Sequence, residues 1–69
     1  MSEKLANGLK DKRGALGLTQ AELAERVGVT RKTVNTVENG VFIPSALLAL
    51  KLARALGEPV ENLFWLSAK

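Results

Sequence analysis

Arg31, Lys32, Asn35 and Thr36 form a short run of cationic and hydrogen-bonding side chains in the middle of the chain. Arg and Lys can donate hydrogen bonds to the O6 and N7 atoms of guanine, and an Asn amide can pair with adenine. The methyl group of a Thr can contact the methyl group of thymine. An ordinary solvated helix face would more often mix Glu with Lys, and the only carboxylate in this region is Glu38. The run therefore has the chemistry needed to recognise base edges of DNA.

Two short amphipathic segments would position these side chains. Thr19 can cap a first helix, with Glu22 three residues later as its capping-box partner, and Thr30 can cap a second helix. Gly28 lies between them, where a left-handed residue lets one helix end and the next begin at a steep angle. Each segment has one apolar stripe: Leu23, Ala24 and Val27 on the first, Val34 and Val37 on the second. This layout over about residues 19–39 predicts a helix-turn-helix, whose second helix enters the major groove.

Further motifs keep the same register over nearly the whole chain. They are Lys12-Arg13, Leu16-Gly17-Leu18-Thr19-Gln20, Leu23-Ala24-Glu25, Val27-Gly28-Val29-Thr30, Val34, Val37-Glu38-Asn39-Gly40, Pro44-Ser45 and Leu52-Ala53-Arg54-Ala55-Leu56-Gly57. With them, residues 4–64 resemble the phage repressor and Cro type (XRE-like) of helix-turn-helix regulator. The resemblance implies one all-α, five-helix domain over residues 1–69. It also implies a transcriptional regulator, expected to be a repressor, that binds double-stranded DNA as a homodimer on a palindromic operator.

The resemblance further implies roles for single residues. In similar proteins the residues matching Arg31, Lys32 and Thr36 read bases, and the residue matching Gln20 contacts a phosphate. The pair matching Arg13 and Glu38 forms a salt bridge between the first and third helices. Beside Gln20, we expect four residues to contact the DNA backbone: Thr19, Thr30, Thr33 and Asn39.

One position departs from the family pattern. The residue after Asn39-Gly40 is often a phosphate-contacting Lys in similar proteins, whereas this chain has Val41. One backbone contact is therefore in doubt, and we expect Val41-Phe42-Ile43 to pack against the protein instead.

The remaining segments predict a scaffold of helices. Ser2 can cap a first helix running to about Leu16, with Leu5, Leu9 and Leu16 facing inward. No strand-length alternating segment precedes residue 63, which favours an all-α domain.

The second half of the chain predicts two more helices. Ser45 can cap a fourth helix that Gly57 ends, and Pro59 fits the first turn of a fifth helix through about Leu63. The fourth helix is apolar nearly all round, which is more than one buried stripe requires. It can be an ordinary core helix, or it can combine core packing with a dimer contact.

The C-terminal tail is unusually apolar, with the run Leu63, Phe64, Trp65 and Leu66. Two of the three aromatic residues of the chain lie there, although termini usually fray unless something holds them. We expect residues 58–69 to form a dimer interface, through helices or a short antiparallel strand pair. In the alternative, Phe64 and Leu66 fold back onto the core of the same chain and leave Trp65 half exposed.

Composition limits the classes of function. Ten Lys and Arg against seven Asp and Glu give a formal net charge of +3, which fits a local phosphate-contacting patch. The chain has no His and no Cys, so the usual general base, thiolate nucleophile and imidazole metal ligand are missing. We expect no enzymatic activity, no catalytic residue, no metal and no cofactor.

No apolar run reaches the roughly 18 residues that span a bilayer, and the N-terminus does not resemble a signal peptide. We expect a cytoplasmic protein without membrane contact. The alternative function is a protein-interaction module of the same fold, such as an antitoxin or co-regulator that binds a protein partner. Such a module could show apolar or acidic residues where Arg31, Lys32 and Asn35 stand, so these three favour DNA binding.

Overall fold

The computed structural model describes residues 3–68, which form five helices and a two-stranded sheet. The elements in chain order are β1 Lys4–Asn7, α1 Leu9–Ala15, α2 Gln20–Val27, α3 Arg31–Glu38, α4 Ala46–Leu56, α5 Val60–Leu63 and β2 Phe64–Ser67. The two strands pair antiparallel, with Lys4 opposite Ser67 and Asn7 opposite Phe64. The predicted five-helix architecture is confirmed, and the short C-terminal strand, predicted for a dimer interface, pairs with β1 of the same chain.

Hydroxyl side chains begin the three longest helices, because each satisfies a backbone N–H group that has no partner in the first turn. Thr19 Oγ1 accepts from Glu22 N at 3.0 Å, and a Glu22 carboxylate oxygen accepts from Thr19 N at 2.8 Å. Thr30 and Ser45 cap α3 and α4 by accepting from Thr33 N and Leu48 N, without a reciprocal bond. Gly28 ends α2 with a φ of +77°, a left-handed conformation that side chains with a Cβ rarely adopt. These predicted caps are confirmed.

The core is apolar and draws on every helix and on β2. Its buried members are Leu9, Leu23, Ala24, Val27, Val34, Val37, Leu52, Ala53, Leu56, Leu63 and Phe64. The predicted stripes on α2 and α3 are thus both buried, and they meet where the two helices of the helix-turn-helix pack together. This packing holds the outer face of α3 in a fixed orientation on the domain.

The start of the first helix differs from the prediction. Residues 4–7 form β1 instead of the first turns of a helix, and α1 begins only at Leu9. Gly8 disfavours a continuous helix, and Asn7 Oδ1 accepts from Leu9 N at 3.1 Å, which starts α1 there. Leu5 still packs against the core. The predicted Ser2 cap lies outside the described residues.

Apolar side chains of α4 and of the residue after α1 remain exposed. Leu16, predicted to face inward, is 54% exposed because α1 ends at Ala15 before the stripe reaches it. In α4, Leu47 and Leu50 are exposed while Leu52 and Leu56 are buried. The fourth helix therefore has one core face and one uncovered apolar face. In the part of the chain described, no helix has the length and apolar composition of a membrane span.

Candidate nucleic-acid interface

The N-terminal turn of α3 presents two cations to solvent. Arg31 and Lys32 are both exposed, and they directly follow the Thr30 cap. Across residues 3–68 the ion pairs are Lys12–Glu58 and Arg13–Glu38, so neither Arg31 nor Lys32 has a carboxylate partner there. The first turn of α3 carries no acidic residue. A helix N-terminus with unpaired cations is electropositive and attracts anions such as phosphate groups.

In the next turn of α3, polar side chains form hydrogen bonds within the protein. Thr36 is half-buried, and its hydroxyl donates to Thr33 O at 3.0 Å, so the hydroxyl proton is already used within the helix. Asn35 Oδ1 accepts from Asn39 Nδ2 at 2.8 Å, and Asn35 Nδ2 donates to Gln20 Oε1 at 3.4 Å. Each polar atom of the Asn35 side chain thus has one protein partner and capacity for one more.

Gln20 connects α2 to two residues of α3. Its Nε2 donates to Glu38 Oε1 at 2.9 Å, and its Oε1 receives the Asn35 amide. An amide nitrogen carries two protons, so one donor of Gln20 remains for an outside acceptor. The structure therefore gives Gln20 an internal role that the sequence did not predict, beside its predicted phosphate contact.

Glu38 is the buried anchor of α3, and its side chain is only 3% exposed. Arg13 Nε donates to Glu38 Oε2 at 2.6 Å, and Arg13 Nη2 donates to Glu38 Oε1 at 3.2 Å. A third nitrogen, Arg13 Nη1, donates to Leu18 O at 2.8 Å. The hydrogen bonds and charge of Glu38 raise the pKa of the Arg13 guanidinium above its ordinary value. The structure thus places Arg13 and Glu38 together as the ion pair that the family resemblance implies.

The capping box on α2 fixes a carboxylate near the other helix N-terminus. The backbone N–H and the hydroxyl of Thr19 both hydrogen-bond to Glu22, and they lower the pKa of this exposed carboxyl group. Thr19, Thr30 and Thr33 all lie at the starts of α2 and α3, with Thr30 Oγ1 and Thr33 Oγ1 only 3.0 Å apart. The residues predicted to contact the DNA backbone are therefore grouped at two helix N-termini, apart from Asn39 at the far end of α3.

The loop after α3 corrects one prediction. Val41, Phe42 and Ile43 do not pack inside the protein, since they are 78%, 47% and 72% exposed. The N–H groups of Val41 and Phe42 both bond to Thr36 O, so the backbone of the loop is tied to α3 while the Val41 and Ile43 side chains stay largely exposed and Phe42 is half exposed. Backbone pairing therefore decides the path of this loop, and side-chain burial does not.

The C-terminal tail is buried at its first two residues and exposed at the next two. Leu63 and Phe64 are buried, whereas Trp65 is 46% and Leu66 is 66% exposed. The strand partner of the tail is β1 of the same chain. Phe64 folds back onto the core as the alternative for the tail predicts, but Leu66 remains uncovered.

Asn7 is a residue of this region that the sequence reasoning missed. Its side-chain amide donates to Val37 O at 3.1 Å, and Val37 lies 30 residues further along the chain. The Asn7-Gly8 pair before an apolar helix position is a local signal for the start of α1, but it does not indicate the contact with Val37. Within residues 3–68, no group of three or more His, Cys, Asp or Glu residues could hold a metal ion.

A helix-turn-helix family profile matches residues 9–63. The chain is 45% identical over 62 residues to the uncharacterized HTH-type transcriptional regulator YgzD of Bacillus subtilis (strain 168), covering 90% of this chain and 94% of that one. It is 54% identical over 57 residues to an uncharacterized HTH-type transcriptional regulator of Methanothermobacter thermautotrophicus, covering 81% and 83%. The chain therefore belongs to the helix-turn-helix family of transcriptional regulators.

A solved structure has a similar fold. The restriction-modification controller protein C.AhdI from Aeromonas hydrophila superposes with a TM-score of 0.75 and 39% identity, covering 78% of this chain and 82% of that chain. The family resemblance inferred from the motifs is confirmed by these matches.

Proposed function

We propose that the protein is a sequence-specific, double-stranded DNA-binding regulator that inserts α3 into the major groove. The observation that carries this proposal is a pair of exposed cations, without a carboxylate partner within residues 3–68, at the start of a helix whose far end is anchored by a buried carboxylate. Cationic side chains can reach phosphates and base edges only when the protein holds them at its surface. The anchored helix α3 holds Arg31 and Lys32 in this way. The family of the chain supports the same function.

Each polar residue of α3 has a distinct proposed contact. Arg31 and Lys32 donate to guanine O6 and N7, where a good bidentate contact discriminates by about 1–3 kcal/mol. Asn35 uses its remaining donor and acceptor on adenine. Because the Thr36 hydroxyl is already bonded within the helix, its methyl group is the part that touches a thymine methyl.

The backbone contacts come from the same helix ends. Thr19, Gln20, Thr30 and Thr33 face phosphates at the starts of α2 and α3, with Gln20 using its second amide proton. Asn39 contacts a phosphate at the end of α3. These contacts fix the register of the protein on the duplex and carry no sequence information themselves.

The protein acts as a homodimer on a two-fold symmetric operator, and it represses transcription by occupying that operator. One small domain reads too few base pairs to discriminate against a genome, so a second copy is needed. The two-stranded sheet supports this assembly, because the outer edge of β2 is open and Trp65 and Leu66 are exposed beside it. A two-fold dimer would place the two α3 helices about 34–36 Å apart, one helical turn of DNA.

The antitoxin or co-regulator alternative has less support. A module that had exchanged DNA reading for protein binding could carry apolar or acidic groups on α3, whereas the face of α3 carries cations and amides. The uncovered face of α4 at Leu47 and Leu50 could still receive a protein partner without obstructing α3.

Selection of bound sites from random duplexes at a stated salt concentration tests the proposal. We expect a palindromic consensus with two half-sites one helical turn apart. The Lys32→Ala variant should recover a consensus that is relaxed at one position in each half-site, whereas Lys10→Ala, which changes an exposed cation of α1, should recover the wild-type consensus. Recovery of unrelated sequences by the wild-type chain would refute sequence-specific binding.

A further inference from the structure

The last turn of α3 is held both through a side chain and through its backbone. On its side-chain side, the Glu38 carboxylate is bound by Arg13 of α1 and by Gln20 of α2. On its backbone side, Asn7 Nδ2 donates to Val37 O at 3.1 Å and lies 3.5 Å from Glu38 O. The second of these restraints comes from the end of a β-strand, outside the helix-turn-helix.

Asn7 itself is held firmly by the sheet. Its backbone is paired with Phe64 of β2, and the next residue, Gly8, donates its N–H to Leu63 O at 2.9 Å. Its Oδ1 accepts from Leu9 N, so a single side chain both starts α1 and restrains the end of α3. A donor at the C-terminus of a helix is favourable, because the last carbonyl groups carry partial negative charge and have no partners within the helix.

Small changes at this end of α3 have large effects at the other end. The helix has eight residues. At ~1.5 Å per residue it is ~12 Å long, so a tilt of about 5° about its C-terminal end moves Arg31 by about 1 Å. Hydrogen bonds to base edges tolerate donor–acceptor distances of roughly 2.7–3.2 Å, and a shift of that size is enough to break them.

We propose that Asn7 is a positioning residue for base recognition, which fixes the angle of α3 relative to the β1–β2 sheet. This inference rests on the proposed function, since it concerns how α3 reads DNA. Asn7 touches no base, and it acts by holding the carbonyl groups at the end of α3. Sequence discrimination by α3 therefore depends on a side chain of β1, the strand that pairs with the C-terminal strand β2.

The two hydrogen-bonding atoms of Asn7 can be separated by substitution. Asn7→Asp keeps an acceptor for Leu9 N but removes the donor, and it brings a negative charge against the carbonyl end of α3. Asn7→Ala removes both atoms. Asn62→Ala is the matched control, because Asn62 is an exposed Asn whose amide donates only to the surface residue Glu58.

Binding is measured by titration on the selected site and on an unrelated duplex of equal length, at one salt concentration and a temperature where each variant is folded by circular dichroism. For Asn7→Asp we expect affinity for the selected site to fall by about tenfold, the loss of roughly one good base contact. Affinity for the unrelated duplex should change by less than about twofold, because phosphate contacts dominate there. Asn62→Ala should match the wild type on both duplexes.

A DNA-free measurement accompanies the titration. The N–H groups of Asn39 and Gly40 bond to carbonyls of α3 and report the stability of its last turn. We expect their hydrogen exchange to accelerate in both Asn7→Asp and Asn7→Ala, while the exchange of amides in α4 stays unchanged.

The outcomes separate this inference from the proposed function. A wild-type chain that shows no preference for any duplex removes the proposed function and the role of Asn7 with it. A wild-type preference that survives intact in Asn7→Asp and Asn7→Ala removes the positioning role alone. Equal losses on both duplexes, or failure of both variants to fold at low temperature, would make Asn7 a residue of general stability and would also overturn the inference.

Discussion

Replacing Glu38 by Gln removes the charge from a carboxylate that accepts three side-chain hydrogen bonds, two from Arg13 and one from Gln20. The Gln side chain has nearly the same shape, so packing is preserved, but its amide nitrogen faces a donor of Arg13 or Gln20, and the charge is lost together with one acceptor. Arg13 keeps its charge and its hydrogen bond to Leu18 O, but it loses its counter-ion. The substitution therefore measures what the ion pair contributes to holding α3 on the domain.

The burial of the pair gives the expected magnitude. The Glu38 side chain is 3% exposed and that of Arg13 is 14% exposed. Removing one partner of a buried pair costs about 3–5 kcal/mol. Because Arg13 retains some access to water and one backbone partner, we expect a loss near the lower limit, about 3 kcal/mol. In a domain of this size each kcal/mol lowers the melting temperature by roughly 4–8 °C, so the expected decrease is about 12–24 °C.

Thermal unfolding followed by circular dichroism measures this decrease. Glu58→Gln is the matched control, since it breaks the Lys12–Glu58 pair, which spans 3.7 Å with side chains 40% and 28% exposed. A surface pair contributes about 0–1 kcal/mol, so its loss should lower the midpoint by less than about 8 °C. Equal shifts for Glu38→Gln and Glu58→Gln would refute the buried-anchor reasoning. The double variant Arg13→Met/Glu38→Leu should recover most of the lost stability, because it leaves no unpaired buried charge.

Three further predictions follow from the surface groups. Arg31→Ala should cost about 1–3 kcal/mol of binding free energy on the selected site and less on unrelated DNA. Titration with Arg54→Ala, which removes an exposed Arg of α4, should show no such difference, and equal losses on both duplexes for Arg31→Ala would restrict Arg31 to phosphate contacts. Leu66→Lys should give monomers in sedimentation at concentrations where Leu50→Lys still gives dimers. A wild-type chain that stays monomeric at high concentration would contradict the dimer. Because the pKa of Glu22 is lowered from 4.5, its ionised form stabilises the fold above about that pH and this stabilisation is lost as the pH falls through the lowered pKa. The difference in urea midpoint between wild type and Glu22→Gln should therefore be constant above pH 4.5 and shrink below it, and a difference independent of pH would contradict the role of the charge.

Local chemistry made much of the fold predictable from the sequence. Thr19, Thr30 and Ser45 each satisfy a backbone N–H group within three residues, and Gly28 supplies a conformation that other residues avoid. Such signals depend only on near neighbours, so their structural consequences can be read from a short window. The helix boundaries that they fix are the ones that the structure reproduces best.

Long-range pairing explains what the sequence did not reveal. A four-residue strand such as β1 forms only because it pairs with Phe64–Ser67, which lies more than 50 residues away in the sequence. The contact of Asn7 with Val37 O depends on that pairing and was missed for the same reason. Within the candidate site, the side chains of α3 could be predicted from their types, whereas the link from Gln20 to both Asn35 and Glu38 required the packing of α2 against α3.

The exposed apolar residues show a second limit to what can be predicted from the sequence. Hydrophobicity predicted burial for Leu16 and the segment 41–43, yet Leu16, Val41 and Ile43 are largely exposed and Phe42 is half exposed. In α4, whose apolar surface exceeds one buried stripe, Leu47 and Leu50 are exposed as well. A small domain cannot cover every apolar side chain that it carries, because its surface is large relative to its volume. Which apolar residues remain outside is decided by helix ends and loop paths, such as the end of α1 at Ala15.

The central claim, that α3 reads base sequence in the major groove, is tested most directly by methylation interference on the selected site. Dimethyl sulfate methylates guanine at N7, which lies in the major groove, and adenine at N3, which lies in the minor groove. We predict that N7 methylation of the half-site guanines blocks binding, that Arg31→Ala abolishes the interference at one guanine of each half-site, and that N3 methylation has little effect. Binding that tolerates every N7 methyl group but is blocked by N3 methylation would contradict major-groove recognition by α3.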